Sequence, residues 1–448
     1  MITETASRYR EQFAQLETQF AGADLLWLQQ ARHAALERFC ALGFPDTAQE
    51  DWKYTNVGMI AKRGFNFVPQ ASNGADGFTI GKLGELAEVA ELAELTLSDD
   101  YLLVYINGRY APALSKLKAL PQGATVLSLA AALADHASKF DAMPAGSNGF
   151  AALNAAFWND GAYIELAPTV EVEAPIHLLF IATEADLMTH PRHIIHAGPG
   201  ARATIVEHYI GADDIAYFTN AVTQIVLEPG AAIEHYKLQQ ESGHAFHIAS
   251  IDVQQAQNSR FTSHSFALGG LLSRNDIGTC FNQEGCQATL NGLYMASGRQ
   301  HMDHHTSIDH AQPGGVSREF YKGVLGGAAR AVFNGKVIVR PDAQKSDAYL
   351  SNRNLLLSDT AEVDTKPQLE IYADDVKCTH GATVGQLDEN QVFYLRSRGV
   401  DAAQAITLLT YAFASEIVER VGIALLQERL EELLINRLPG GHQIRELL

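Results

Sequence analysis

Cysteine is scarce in this chain. Its 448 residues include four, Cys40, Cys280, Cys286 and Cys378, too few and too scattered for a disulfide-built domain. No two form a C-x-x-C pair, which argues against a zinc or iron–sulfur site made from this chain's thiolates alone. Positive charge is also short. The 33 Lys and Arg face 52 Asp and Glu, a formal net charge of −19. Phosphate backbones and anionic lipid repel such a chain, so neither nucleic acid nor a membrane surface is an expected partner. No apolar run is long enough to span a bilayer. The opening "MITETASRYREQFAQLE" lacks the apolar core and cleavage signature of a secretion signal. The expectation is a cytoplasmic protein with reduced thiols.

What is present is an ordinary globular mixture, 47% hydrophobic and 19% charged, in a chain too long for one simple core. Two or three structural units, or one elongated repeat, are expected. Three stretches differ in texture. Residues 1–148 form an expected N-terminal helical and mixed region. Tyr9, Phe13, Leu16, Phe20, Leu28, Leu36 and Phe39 recur there at helical spacing, "GFPD" breaks the helix at Pro45, and the polar, aromatic "EDWKYTN" follows. "KLGELAEVAELAELTLS", between residues 69 and 98, fits a solvated helix or a linker equally. Asn107-Gly108 between two β-favouring runs predicts a hairpin, and "LSLAAALADHASKF" predicts a short helix.

Residues 149–386 read differently. Strand-like runs such as "IHLLFIA", "NAVTQIVL", "IASIDVQ" and "AVFNGKVIV" recur with Gly, Asn, Asp and Pro between them. Two phrases repeat, "GPGARATIVEHY" from 198 and "EPGAAIEHYKL" from 228, and "LNGLYM" is echoed by "FNGKVIV". Weak self-similarity at this period predicts a β-solenoid rather than a sandwich, with each coil burying its face against its neighbours. His208 and His235, equivalent within the two Glu-His-Tyr phrases, are expected to stack as a structural ladder. Residues 387–448 return to helical periodicity, starting from Asp388 as a cap and closing at Gly440-Gly441. This unit is expected either to cap an open solenoid end or to offer an apolar face to a partner.

Within "DDVKCTHGATVG", Cys378 and His380 stand two apart on a predicted strand. They therefore share a face, with Cα atoms about 6.5 Å apart. That suits two ligands of one metal centre better than a nucleophile with its base, which usually come from different elements. Lys377 or another cation is expected to favour the thiolate. Two ligands do not complete a site, so any metal bound here needs donors from elsewhere, most economically from a partner chain. On spacing alone, the commoner reading is a cysteine packed as a small apolar side chain beside a turn histidine. "RQHMDHHTSIDH" carries His301, His304, His305 and His310, and dense His and Asp raises a stand-alone metal site; residues lining an outer face or a subunit interface are the plainer expectation. Asp342, Lys345, Asp347 and Arg353 raise a β-helix carbohydrate-active enzyme, which would need export. "FNGKV" lacks the Ser or Thr and the glycine spacing of a nucleotide-binding P-loop, so no nucleotide is expected on this chain.

The stretch from "GGAARAVFNGKVIVRPDAQKSDAYLSNRN" to "LEIYADDVKCTHGATVGQLDENQVFYLRSRGV" resembles the core of the SufB/SufD family of iron–sulfur cluster assembly proteins. "FAALNAAFWNDGAYIELAPTVEVEAPIHLLF" resembles that family's entry into its β-helix, and "EDWKYTN" its N-terminal motif. SufB-type members carry more cysteines, often in an N-terminal cluster motif that this chain lacks. The resemblance implies a right-handed parallel β-helix flanked by helical regions, acting as a non-catalytic scaffold. It implies a complex with the paralogue SufB through the β-helix and with the ATPase SufC through the C-terminal helices; whether the isolated chain is a homodimer is left open. A transient iron–sulfur cluster would form between the two β-helices. The family's required histidine maps onto His380, with Cys378 as its strand neighbour. Thr379 stands where the family usually has Ser.

Overall fold

The structure, a computed structural model, describes residues 2–67, 101–136 and 148–445; the Ala/Glu/Leu-rich stretch between 69 and 98 lies outside them. Two long sheets face one another. The first contains the strands Tyr101–Ile106, Glu171–Ala182, Arg202–Gly211, Ala232–Gln240, Arg260–Ala267, Gln287–Ala296, Val316–Leu325, Asp347–Leu356 and Lys377–Gly385, each pairing with the next. The second runs alongside and ends at Arg330–Val339 and Glu362–Ile371. The chain alternates between the sheets, giving a parallel β-solenoid of about eight turns. Its strands are covered on both faces over most of their length, and so read in sequence as near-continuous apolar runs. The expected hairpin is present, with Tyr101–Ile106 antiparallel to Arg109–Tyr110 through Asn107 and Gly108, both at positive φ. The expected short helix spans Leu129–His136.

One turn per coil stacks into a ladder. Gly200, Gly230, Asn258, Gly285, Gly314 and Lys345 are left-handed. The N–H of each donates to the carbonyl just before its counterpart in the next coil, as in Gly200 to Pro229 at 2.9 Å and Gly230 to Gln257 at 2.8 Å. The Pro-Gly-Ala phrases therefore mark true register. The Glu-His-Tyr phrases do not. His208 lies beside Leu238, and His235 beside Ile205. The second phrase comes three residues earlier after its turn than the first. An odd offset turns every side chain to the opposite face: His235 points into the solenoid and His208 out of it. The expected histidine ladder is not formed.

Two interior tyrosines fit because glycine makes room for them. Gly292 lies opposite Tyr321, and Gly323 opposite Tyr294; a Cβ on either glycine would land inside the facing ring. Gly323→Ala is expected to destabilise the chain by about 1–3 kcal/mol, the usual cost of overpacking, read as a lower urea midpoint with unchanged slope.

Helices cover both outer faces. Tyr9, Phe13, Phe20, Leu36 and Phe39, the apolar positions of Ile2–Leu16, Leu26–Leu42 and their connection, pack with Phe218, Phe246 and Leu272 on the outside of the second sheet. "EDWKYTN" locks this region down. The Arg274 guanidinium lies 3.7 Å from the Trp52 ring centre, donates to the Asp51 carbonyl and pairs with Asp303 at 2.9 Å; the Thr55 hydroxyl also donates to Asp303. At the other end, Ala402–Val418 and Ala424–Arg437 bury Ala414, Ile417, Leu430 and Leu434 against Tyr236, Phe266 and Leu293 on the outside of the first sheet. Lys322 fastens them, donating to the Phe413 carbonyl and pairing with Glu416. These helices lie along the side of the solenoid, so of the two roles expected for them, the end cap is not the one adopted. Among the described residues, no helix is long and apolar enough to cross a membrane.

Candidate functional site

The solenoid finishes uncovered. Among the described residues, Lys377–Gly385 pairs only with Asp347–Leu356, and Glu362–Ile371 only with Arg330–Val339. Their far edges carry backbone donors and acceptors with no strand beside them, a ready template for another chain. Side chains that would be sealed in any earlier coil are open here: Val384 and Ile371 are exposed, and Tyr372 next to them is 60% exposed.

Cys378 and His380 sit on this last strand. Their neighbours in the preceding coil, Ala348 and Leu350, are fully buried in the interior. Cys378 and His380 therefore face the same way, onto the end of the solenoid core, with His380 exposed and Cys378 half-buried. The bonding geometry of a thiol and an imidazole on one face matches the spacing argument. The thiol's acidity does not: partial burial and the nearby Asp347 charge push Cys378 up, against only a backbone hydrogen bond from Ala348 that lowers it. Lys377, one residue away, points to the other side of the strand.

The rival constellations come apart. His301–His310 is one strand of the second sheet, so its side chains alternate. His301, Asp303 and His305 face outward, and His304 and His310 inward, so the four imidazoles cannot converge. His305 pairs with Asp303 at 3.1 Å, and the Asp303 charge holds its pKa up against burial, which pulls it down. Among the described residues, no group of three or more His, Cys, Asp or Glu is placed to hold a metal ion. Asp347 and Arg353 share a strand six residues apart, about 20 Å; Asp347 pairs with Arg318 at 3.0 Å and Lys345 with Asp375. No acid–base pair forms. Cys286 is buried, and Cys40 and Cys280 are half-buried, away from the open end.

A second exposed feature lies on the C-terminal helices, where sequence reasoning expected a cap or an apolar docking face without naming its residues. Glu389–Ser397, capped by Asp388 as expected, buries none of its residues. Phe393 is 71% and Tyr394 57% exposed, and a groove of about 630 Å³ runs beside them, lined by Leu356, Leu357, Val392, Phe393 and Ile406. The signal was present in "QVFYL", where adjacent aromatics occupy a helix too short to bury both.

The fold is that of a parallel β-solenoid with helices on both flanks and, among the described residues, an end that no further strand covers. Comparison with known proteins agrees. The family described as "SUF system FeS cluster assembly, SufBD core domain" matches residues 180–413, and "SufBD protein N-terminal region" matches residues 3–178. The iron–sulfur cluster assembly protein SufD of Escherichia coli is 34% identical over 411 residues, covering 91% of this chain and 92% of that one. A SufBD-family iron–sulfur cluster assembly protein of Synechocystis is 34% identical over 416 residues, 90% and 89% of the two chains. SufD of Bacillus subtilis is 26% identical over 289 residues, 63% and 65%. The chain belongs to the SufBD family of iron–sulfur cluster assembly proteins.

Proposed function

We propose that the chain is the SufD-type, non-catalytic scaffold subunit of a cytoplasmic complex with a SufB-type paralogue and a SufC-type ATPase. The observation that carries this is the open last coil. Cys378 and His380 share its exposed face, beside two strand edges that no other described strand covers. They are half of a ligand set. The paralogue abuts the solenoid end and supplies the remaining donors, so that a transient iron–sulfur cluster is held across the seam as cargo. His380 ligates or gates the iron, and Cys378 assists. In the absence of the paralogue, a second copy of the chain meets the same edge as a homodimer. The chain binds no nucleotide. The ATPase docks on the C-terminal helices at Phe393 and Tyr394, and its cycle of hydrolysis reshapes the seam.

Co-purification with both partners, followed by iron and acid-labile sulfide analysis under anaerobic conditions, tests this. The reading fails if the chain joins neither partner. Phe393→Asp puts a charge in the exposed groove without touching the core. It is expected to weaken ATPase binding by roughly 30-fold or more, the scale of a central interface aromatic, while leaving the paralogue bound. Titration calorimetry or pull-down under matched conditions reads the difference.

A further inference from the structure

Buried polar groups with no partner among the described residues gather at one place inside the solenoid. Glu319 is 0% exposed, yet neither carboxyl oxygen meets a donor or acceptor. His304 is 1% exposed and both ring nitrogens are unpartnered. The Tyr321 hydroxyl, the Asn275 side-chain oxygen and the Thr306 hydroxyl share that condition. The topology brings them together. His304 lies beside Asn275 on adjacent strands of the second sheet, its ring 5.0 Å from Tyr294 and 5.7 Å from Tyr321. Tyr321 follows Glu319 by two residues on the inward face of the first sheet. Thr306 comes near enough from the opposite sheet to draw the Glu319 pKa down slightly without completing a hydrogen bond.

A comparable polar cluster farther along the interior is satisfied. Four coils of strand away, Glu207 accepts from Thr223 at 2.7 Å, from Tyr209 at 2.8 Å and meets His235 at 3.1 Å. On the terminal side, the Tyr294 hydroxyl donates to Asn354, Asn352 donates to Tyr294, and Thr365 donates to Asn352. That chain ties the neighbourhood of Glu319 to the last coils. Folded proteins do not leave so many adjacent buried groups unmade. Buried polar atoms grouped in this way take water, which bonds two to four partners, where an apolar interior stays dry. Burial pushes the Glu319 carboxyl up to about 8, so at neutral pH it is the uncharged acid, with a donor as well as acceptors. The wall as a whole then carries no net charge.

We propose that Glu319, His304, Tyr321, Asn275 and Thr306 form an internal binding site for a small neutral hydrogen-bonding ligand, a cluster of ordered water locked between the coils. The site is independent of the function proposed for the terminal edge. Two measurements on the full-length chain test it. A crystal structure at a resolution that shows water is expected to contain at least one molecule bridging the Glu319 carboxyl to His304 or Tyr321. Infrared difference spectra of wild type against Glu319→Gln at pH 7 are expected to show a protonated-carboxyl carbonyl band that the substitution removes, with the variant still folded. A dry interior, in which Glu319 bonds directly to His304 or Thr306, overturns the proposal. So does a metal ion in that place, or a spectrum in which Glu319 is a carboxylate at pH 7.

Discussion

His380→Ala is expected to abolish retention of iron and acid-labile sulfide by the assembled complex while leaving the chain folded and the partners bound. The two halves of that result have separate causes. His380 is exposed on the last strand and makes no contact on which the solenoid depends, so its truncation falls in the usual surface range of about ±0.5 kcal/mol. As the proposed ligand it has only Cys378 beside it on that face, and among the described residues no group of three or more His, Cys, Asp or Glu is placed to hold a metal without it. Loss of a mere outer-shell partner of a metal ligand costs roughly 10–100-fold in affinity, and loss of the ligand itself costs at least that. Cys378→Ala is expected to have the same sign and a smaller size, since partial burial and Asp347 keep its thiol protonated until iron displaces the proton. Thermal unfolding, size-exclusion elution of the complex, and iron and sulfide content read the three parts together. A His380→Ala complex that loads cluster normally removes the site assignment.

The second large effect is acid lability. Six buried histidines, His190, His193, His208, His264, His304 and His310, are pulled down chiefly by burial, His190 to about 3 and the others to about 4. In the folded chain they stay neutral as the pH falls, whereas in the unfolded chain they take up protons below about 6.5. Unfolding therefore binds protons, and stability is lost as the pH drops from 6.5 towards 4. At pH 5 each contributes about 2 kcal/mol to that loss, on the order of 10 kcal/mol together, which matches the whole stability of a typical domain. Asp160 and Glu319 work the other way. Burial raises them to about 6 and about 8, so lower pH relieves their cost. Two groups against six do not reverse the sign. Below this window, buried Glu207 and Asp303, whose pKa values their cationic neighbours depress, add further loss. Circular dichroism during acid titration is expected to show cooperative unfolding between pH 6 and 4. Retention of native structure at pH 4 contradicts the assignment of these histidines as neutral.

The fold was legible in the sequence wherever one residue type served one purpose. Doubly covered strands appear as apolar runs, Pro-Gly-Ala marks the stacked turn at Gly200 and Gly230, and Asp388 caps the helix it precedes. Legibility failed where the period of the phrase and the period of the coil differ. Glu-His-Tyr recurs after 27 residues while the turn recurs after 30, so an apparent repeat concealed an inversion of face. It failed again for the histidine-rich strand, because a linear cluster is divided by alternation into an outward and an inward set. At the candidate site, the spacing of Cys378 and His380 fixed a shared face but not its exposure. Only the end of strand pairing at Lys377–Gly385 makes that face accessible. The polar cluster around Glu319 was invisible for a related reason: its members come from five positions between Asn275 and Tyr321 on two sheets, and no local motif unites them.

The most direct measurement is the iron and acid-labile sulfide content of the full chain, purified anaerobically in two ways: alone, and with the proposed SufB-type and SufC-type partners. An incomplete ligand set on an open strand predicts no stable cluster on the chain by itself, and a cluster in the complex that disappears with His380→Ala. A stoichiometric cluster carried by the isolated monomer would contradict it.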